Sequence, residues 1–420
     1  MKVVIDNAVC SNGGDMAIAL SVKKLIYQTF GSDADIAIFD SRPEDCQKLY
    51  PNEKFYPLLS EVLFQYSPDW GRRKKLTFFF KSLWTWIGLW LIKCKIPLGK
   101  NLFSKSTYEA LTTYRNADLV ISTGGTYLVE NYGLYYRFVE FSICKFFRKK
   151  LCLYTQSMGP FTEQYNIKNM RKYLKYAQLV FLRDQRSLNN IAYLVDDKSK
   201  CHVLADSVFA LFQPEYIEKY GDFSKKSSIK KVAISVRDWS YFENSSPEDG
   251  MDNYKSAIVD LVHWLVRTHK TEITFVSTCQ GLESYQYDDS SVAMDIYRNL
   301  AEDVHGYVKV NQDFHSPQEL IEICQSMDLV YATRMHMMIL SLCAGTPVIP
   351  IAYEFKQIEL SKRLNIENLL LDINTITFDH AKNVTELYLD QSNDLNKHIF
   401  DYVQHEYISA LSAEKLLKSI

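Results

Sequence analysis

Residues 329–356 read LVYATRMHMMILSLCAGTPVIPIAYEFK. The apolar tetrad Leu329 to Ala332 is strand-like, Thr333-Arg334-Met335-His336 bends the chain, and Met337 to Cys343 reads as a short apolar helix. Gly345-Thr346-Pro347 stops that helix and leads into a second apolar run, Val348 to Ile351, which closes with Tyr353-Glu354-Phe355-Lys356. Strand, helix and strand in immediate succession make a βαβ unit, the building block of a parallel sheet covered by helices.

The same alternation extends in both directions. Towards the N-terminus it predicts strands at Val232 to Val236, Ile273 to Ser277 and Tyr307 to Val310, and beyond the opening stretch a last one at Leu369 to Asp372. A polar segment, Glu218 to Lys230, interrupts it as an interdomain linker would. Before that linker the pattern predicts strands at Lys2 to Ile5, Asp35 to Phe39, Ala117 to Ser122, Leu151 to Gln156, Leu179 to Leu182 and His202 to Leu204, with a packed helix over Asp15 to Phe30. The fold class expected is therefore α/β, in two domains: residues 1–217 with a helical insertion at about 43–106, and residues 231–393. A C-terminal helix over 394–420 is expected to pack back on the first domain. Length agrees, because single cores tend to split beyond about 250–300 residues.

Charge excludes one class of partner. With 48 Lys+Arg against 50 Asp+Glu the chain has no global electrostatic footprint for nucleic acid, so an anionic ligand must be met by local groups. Nine cysteines without paired spacing, several in apolar runs, point to reduced thiols and a cytoplasmic setting. The opening MKVVIDNAV reads as a strand, not a signal peptide. One stretch complicates a purely soluble picture. Arg72-Arg73-Lys74-Lys75 leads into Leu76 to Ile92, rich in Phe and Trp and interrupted by Lys81 and Gly88, which fits a helix lying in a membrane interface better than one crossing it. A buried helical hairpin and a patch pairing two subunits are the alternatives.

Ligands of open α/β sheets bind beyond the carboxyl ends of the strands. The first strand is followed by Ser11-Asn12-Gly13-Gly14-Asp15, where Asp15 either caps the next helix or serves as a base. Ala117 to Ser122 runs into Thr123-Gly124-Gly125-Thr126, whose backbone N–H groups suit a sugar or phosphate. Gln156-Ser157-Met158-Gly159-Pro160-Phe161 and Arg183-Asp184 follow further strands, and Arg183 and Arg186 are given structural roles. In the second domain Arg237 follows the first strand, while Arg334 and His336 stand at a helix start, where free N–H groups favour an anion. Lys356 adds a cation at the next strand end. No His/Cys/Asp spacing suggests a metal.

In order along the chain, Asn12-Gly13-Gly14-Asp15, Gly124-Gly125, Gln156 to Phe161, Arg183-Asp184 with Ser187, Ala205 to Phe209, Val236-Arg237, Arg334-Met335-His336 and Tyr353 to Lys356 resemble the polysaccharide pyruvyltransferase family. Ser11 stands where that family usually has glycine, and the basic-aromatic segment is not part of the shared pattern. The resemblance implies a GT-B-like fold, two facing Rossmann-like domains with a cleft between them. It implies phosphoenolpyruvate on the second domain, at Arg237, Arg334, His336 and Lys356, and a sugar acceptor on the first, at Asn12, Asp15, Gly124, Gly125 and Gln156. Similar family members form pyruvyl ketals on bacterial capsular, exopolysaccharide or cell-wall glycans, and the scheme requires no metal or cofactor besides phosphoenolpyruvate as co-substrate.

The chemistry accounts for the residue types. Carboxylate and phosphate suit arginine and lysine. His336 is expected as the general acid that protonates the methylene carbon, Arg334 as the stabiliser of the leaving phosphate, and Asp15 as a base towards the acceptor hydroxyl. Two alternatives remain: a GT-B glycosyltransferase using a nucleotide sugar, with Glu354 as ribose partner, and a non-catalytic glycan-binding or assembly protein. A lipid-linked acceptor at the inner face of the cytoplasmic membrane would suit the Leu76 to Ile92 segment.

Overall fold

A computed structural model describes residues 1–67, 69–216, 229–282 and 286–420. The chain forms two compact units: Met1–Ser11, Ile18–Ser207 and Leu411–Ile420 make the first, and Asn12–Ala17 with Val208–Ala410 the second. Most of the expected linker, residues 218–228 of Glu218 to Lys230, lies outside the described residues.

In the first unit the order is β1 (Lys2–Ala8), α1 (Gly13–Phe30), β2 (Asp35–Asp40), α2 (Pro43–Leu49), β3 (Phe55–Pro57), α3 (Leu59–Leu63), α4 (Arg72–Lys93), α5 (Lys105–Asn116) and β4 (Leu119–Ser122). It continues with β5 (Gly125–Leu128), α6 (Tyr135–Phe146), β6 (Lys150–Met158), α7 (Gln164–Tyr176), β7 (Leu179–Leu182), α8 (Gln185–Ile191) and β8 (Cys201–Val203). The strands form one sheet in the order β3-β2-β1-β4-β6-β7-β8, with β5 paired to β6. All of its pairings are parallel, with Val4 opposite Val120 at the centre. Val4, Val120, Leu153 and Val180 share one buried cluster with Leu89, Ile92, Phe138, Phe141 and Tyr173 of the covering helices.

The second unit holds β9 (Lys231–Ser235), α9 (Pro247–His269), β10 (Glu272–Phe275), α10 (Asp289–Arg298), α11 (Glu302–His305), β11 (Val308–Val310), α12 (Pro317–Gln325) and β12 (Leu329–Ala332). Then follow α13 (Met335–Cys343), β13 (Val348–Ala352), α14 (Phe355–Arg363), β14 (Leu371–Asp372), α15 (Phe378–Asp390) and α16 (Ser392–Leu411), after which α17 (Ala413–Leu417) groups with the first unit. Its sheet runs β11-β10-β9-β12-β13-β14, which counted within the unit is the doubly wound Rossmann order 3-2-1-4-5-6. Local chemistry starts these helices where they start. Ser246 accepts from the Asp249 N–H ahead of Pro247, and Ser316 with Glu319 forms a capping box ahead of Pro317. The chain is thus α/β, with two Rossmann-like sheets.

Every strand expected from an apolar run is present, with ends displaced by a few residues. Two were missed. Phe55–Pro57, inside the stretch expected to be a helical insertion, pairs with β2 as the edge strand, so that stretch is partly integral to the sheet. Gly125–Leu128 follows β4 after a two-residue break and pairs with β6, where glycine suggested only a turn. The C-terminal segment divides: α16 lies in the second unit up to Ala410, tied by Arg363 to Glu406, and residues 411–420 group with the first.

Helix α4 is half embedded. Thr85, Gly88, Leu89 and Ile92 are buried and Trp86 packs between Phe64 and Phe146, whereas Leu76, Phe79, Phe80, Leu83, Trp84, Ile87 and Trp90 are exposed. A fully buried hairpin is therefore not what this segment forms. No helix among the described residues is long and apolar enough to cross a membrane.

Candidate active site

The strand order of the second unit reverses between β9 and β12, and the crevice outside their carboxyl ends is where such sheets take ligands. Thr333 fixes the bend after β12: its hydroxyl meets Tyr254 OH at 2.8 Å, and its carbonyl accepts the Gln357 amide at 2.9 Å. Arg334 is the N-cap residue of α13. Its Nε and Nη2 donate to the two carboxylate oxygens of Asp289 at 2.8 and 2.6 Å. Asp289 is buried and also accepts the Ser277 hydroxyl at 2.5 Å. Burial disfavours the Arg334 charge, but the Asp289 carboxylate outweighs it and holds the guanidinium well above its ordinary range. The fork occupies Nε and Nη2; Nη1 takes no part in it.

The other two cations converge on one ring. The Arg237 guanidinium lies 3.9 Å from the Tyr353 ring centroid and 4.8 Å from that of Trp239, while Lys356 Nζ lies 5.1 Å from the Tyr353 centroid. Lys356 also pairs with Glu354 at 2.8 Å. Burial works against the lysine charge, yet Tyr353 and Glu354 prevail and raise its pKa. Glu354, the residue set aside for a ribose, is thus engaged by Lys356.

His336 occupies the first turn of α13 and packs on Gly14 so closely that a Cβ there would lie 2.4 Å from Nδ1. The Gly13 N–H donates to the Thr278 carbonyl at 2.9 Å, and Asn12 Oδ1 accepts the Gly14 N–H at 2.8 Å. Asn12 and Asp15, which the resemblance assigned to the acceptor side with Gly124, Gly125 and Gln156, belong instead to the unit that carries His336. Asp15 makes itself felt at Cys279, whose thiol is pushed up to about 11, chiefly by burial and in smaller part by Asp289 and Asp15.

The first unit builds a second polar cluster at its own point of reversal, between β1 and β4. Asn7 adopts φ 62 at the end of β1 and donates from Nδ2 to Ser122 Oγ at 3.0 Å. Arg137 Nη1 donates to Asn7 Oδ1 at 2.7 Å, and the guanidinium lies 4.7 Å from the Tyr127 ring centroid. The Gln156 amide donates to the Thr123 carbonyl and to Tyr127 OH. A register shift in β6 at Thr155, with φ 41, brings Thr155 Oγ1 to 2.6 Å from where a Gly124 Cβ would stand. A side chain at Gly124 is therefore excluded by the Thr155 hydroxyl, with the Thr155 and Tyr154 carbonyls next at 3.1 and 3.2 Å. Below lies Asp6, raised to about 6 by burial even though Tyr114 OH donates to it at 2.8 Å. Glu140, more strongly affected by the same desolvation, is held well above the carboxylate range.

Several quoted motifs prove to be scaffold. Arg183 donates to Ser157 Oγ at 2.6 Å, Thr126 Oγ1 at 2.7 Å and Asp206 at 3.1 Å, while Ser157 Oγ donates to Asp184 at 2.9 Å. This network joins β5 and β6 to the chain just beyond β7 and β8, in accord with the structural role expected of Arg183. Sequence reasoning missed Asp289, Tyr353 as a shared ring, Asp6 and Arg137. Only Asp6, a carboxylate within an apolar strand, carried a signal. A cavity of about 750 Å³ beside Trp239 and Asp289 is walled by Asp238, Glu248, Asp252, Asp288 and Asp295 against Lys255, so its field repels an anion. The cations beyond β9, β12 and β13, not this hollow, are the groups suited to an anion.

The chain is 26% identical over 448 residues to the amylovoran biosynthesis protein AmsJ of Erwinia amylovora, with all of both chains covered. Among solved structures it is similar to the UDP-GlcNAc 2-epimerase of Neisseria meningitidis (11% identity, TM-score 0.56) and to HepE of Anabaena in complex with UDP-glucose (14% identity, TM-score 0.56), each covering 100% of both chains. At such identities these two show the shared GT-B-type fold and nothing of its use. A family model described as polysaccharide pyruvyl transferase matches residues 12–354, from the Asn12 turn against α13 to Glu354 beside Lys356, and the chain belongs to that family.

Proposed function

We propose that the protein transfers the enolpyruvyl unit of phosphoenolpyruvate onto two hydroxyls of a glycan sugar as a cyclic ketal, in bacterial exopolysaccharide biosynthesis. The observation that carries this reading is the placement of Arg237, Arg334 with His336, and Lys356 just beyond the carboxyl ends of three adjacent strands, β9, β12 and β13, with Arg237 and Lys356 sharing the Tyr353 ring. Family membership and the likeness to an amylovoran biosynthesis protein support it.

In this scheme the donor's carboxylate and phosphate are met by Arg237, Lys356 and the Nη1 edge of Arg334, together with the N–H groups opening α13. His336 gives a proton to the methylene carbon, which becomes the methyl group. One sugar hydroxyl adds to the resulting cationic carbon, phosphate departs with the bonding electrons, and the second hydroxyl closes the ring. The two hydroxyl protons balance those taken up by the methylene and the phosphate. Asp15, in the same unit as His336, is the candidate base for a hydroxyl proton. The sugar acceptor is assigned to the first unit, at Gly124, Gly125 and Gln156, beside the Tyr127 ring that Arg137 covers.

Calorimetry and thermal shift with phosphoenolpyruvate, UDP and UDP-glucose test the donor. Phosphoenolpyruvate alone should stabilise the protein, and Arg334→Ala should abolish that. His336→Ala should leave binding within a few-fold while lowering kcat for phosphate release by about 10²–10⁴-fold. Stabilisation by UDP compounds alone would replace this reading with nucleotide-sugar transfer. Binding of phosphoenolpyruvate without turnover on any pyruvylated glycan's precursor would leave a binding protein.

A further inference from the structure

We propose that the exposed face of α4 docks on an anionic lipid bilayer, lying along the interface without crossing it. The face is continuous. Leu76, Phe79, Phe80, Leu83, Ile87 and Trp90 recur at three- and four-residue spacing, with Trp84 at their margin, and the opposite face, Thr85, Gly88, Leu89 and Ile92, is buried. Exposure reaches 65% at Trp84, 63% at Phe79 and 58% at Leu76, far from the scattered apolar surface of an ordinary soluble helix. Leu98 and Leu102, just beyond the helix, are exposed as well.

Charge selects the occupant. Between Trp70 and Tyr108 the sequence carries nine cations, Arg72, Arg73, Lys74, Lys75, Lys81, Lys93, Lys95, Lys100 and Lys105, and no carboxylate, in a chain whose totals are 48 and 50. Both ends of the helix are cationic, so a second copy laid on this face in either direction would set cations against cations. A bilayer with anionic headgroups satisfies both halves of the pattern. Aromatic and aliphatic side chains enter the acyl boundary while lysines and arginines meet the phosphates. Buried Gly88 and Leu89 hold α4 to the first unit, so the helix stays an interface element and is not free to insert across the membrane. This inference is independent of the pyruvyl reading.

The test is cosedimentation of the full chain with vesicles of phosphatidylcholine alone and of phosphatidylcholine with about 30% phosphatidylglycerol. Partition should be about tenfold greater on the anionic vesicles and should weaken at about 0.5 M salt. Brominated acyl chains should quench tryptophan fluorescence, and most of that quenching should vanish in Trp84→Phe/Trp90→Phe. Trp84→Glu/Trp90→Glu, and separately Arg72→Glu/Lys75→Glu, should each reduce partition about tenfold with melting unchanged. Absence of partition, or partition indifferent to these substitutions, overturns the proposal. A concentration-dependent dimer abolished by Trp84→Glu also overturns it and assigns the face to a second copy.

Discussion

Gly14 is held to glycine by one neighbour. A methyl group there would stand 2.4 Å from His336 Nδ1 and 2.7 Å from His336 Cβ, and the latter sits too near the backbone of α13 to swing aside. Gly14→Ala must therefore displace the imidazole, at a cost in stability of about 1–3 kcal/mol, and should lower kcat about 10²-fold while leaving the donor's affinity nearly unchanged. Gly71→Ala, where an added Cβ meets nothing within 4 Å, is the control that should change neither. Steady-state kinetics beside thermal melting distinguish a moved histidine from general loosening. The cations and the histidine were legible because Arg237, Arg334, His336 and Lys356 each follow a strand end, and strand ends can be read from apolar runs. Asp289 was not, because it joins Arg334 across 45 residues of sequence through tertiary contact alone. The glycine turn at Asn12 admits α13, which lies hundreds of residues further on and which no local pattern names.

Elements were legible in proportion to their burial. Strands lying between two helical layers are uninterrupted apolar runs, and each was found; Phe55–Pro57 contains a proline at the sheet's edge and Gly125–Leu128 opens on a glycine with φ 138, so both lack the expected signature. Helix α4 shows the converse difficulty. Its composition alone left buried, oligomeric and interfacial readings open, and the face that packs removes the first of them. Gly88 lies on the packed face, where an added Cβ would meet Phe103 Cζ at 2.6 Å. Gly88→Ala gains about 1 kcal/mol of helix propensity but overpacks a half-buried ring, a loss of about 1–3 kcal/mol. The loss should win, giving a net destabilisation of about 1 kcal/mol in urea-induced unfolding. Stabilisation instead would mean that Phe103 yields and that α4 is held less firmly than its buried residues indicate.

For the whole molecule, the two units differ in how they bury charge, and pH should separate them. The second unit pairs its buried and half-buried ions, Arg334 with Asp289 and Lys356 with Glu354. The first buries carboxylates against weaker partners: Asp6 is raised to about 6, and Asp40, Glu61 and Glu140 are all shifted upward, each chiefly by desolvation. The groups facing Asp6 are Tyr114, Arg137, Cys144 and Glu140, of which only Arg137 is cationic. An acid whose folded pKa is raised binds more protons in the native state than when unfolded. Its stabilisation is complete below the unfolded value of 3.8 and is lost as pH climbs through about 6, a change of about 3 kcal/mol for Asp6 by linkage. His263 and His269 of the second unit are lowered, mainly by desolvation, so they bind fewer protons when folded and their effect has the opposite sign. Both are largely solvent-screened and contribute little. Each unit has its own sheet and core, so calorimetry should resolve two transitions. As pH falls from about 8 to 5, the transition of the first unit should rise while that of the second stays level or drops slightly. Asp6→Asn, which keeps an acceptor for Tyr114 and removes one ionisation, should reduce the rise, leaving the part carried by Glu140, Asp40 and Glu61, without moving the second transition. If both transitions shift together in wild type and variant, the buried carboxylates of the first unit do not govern its stability.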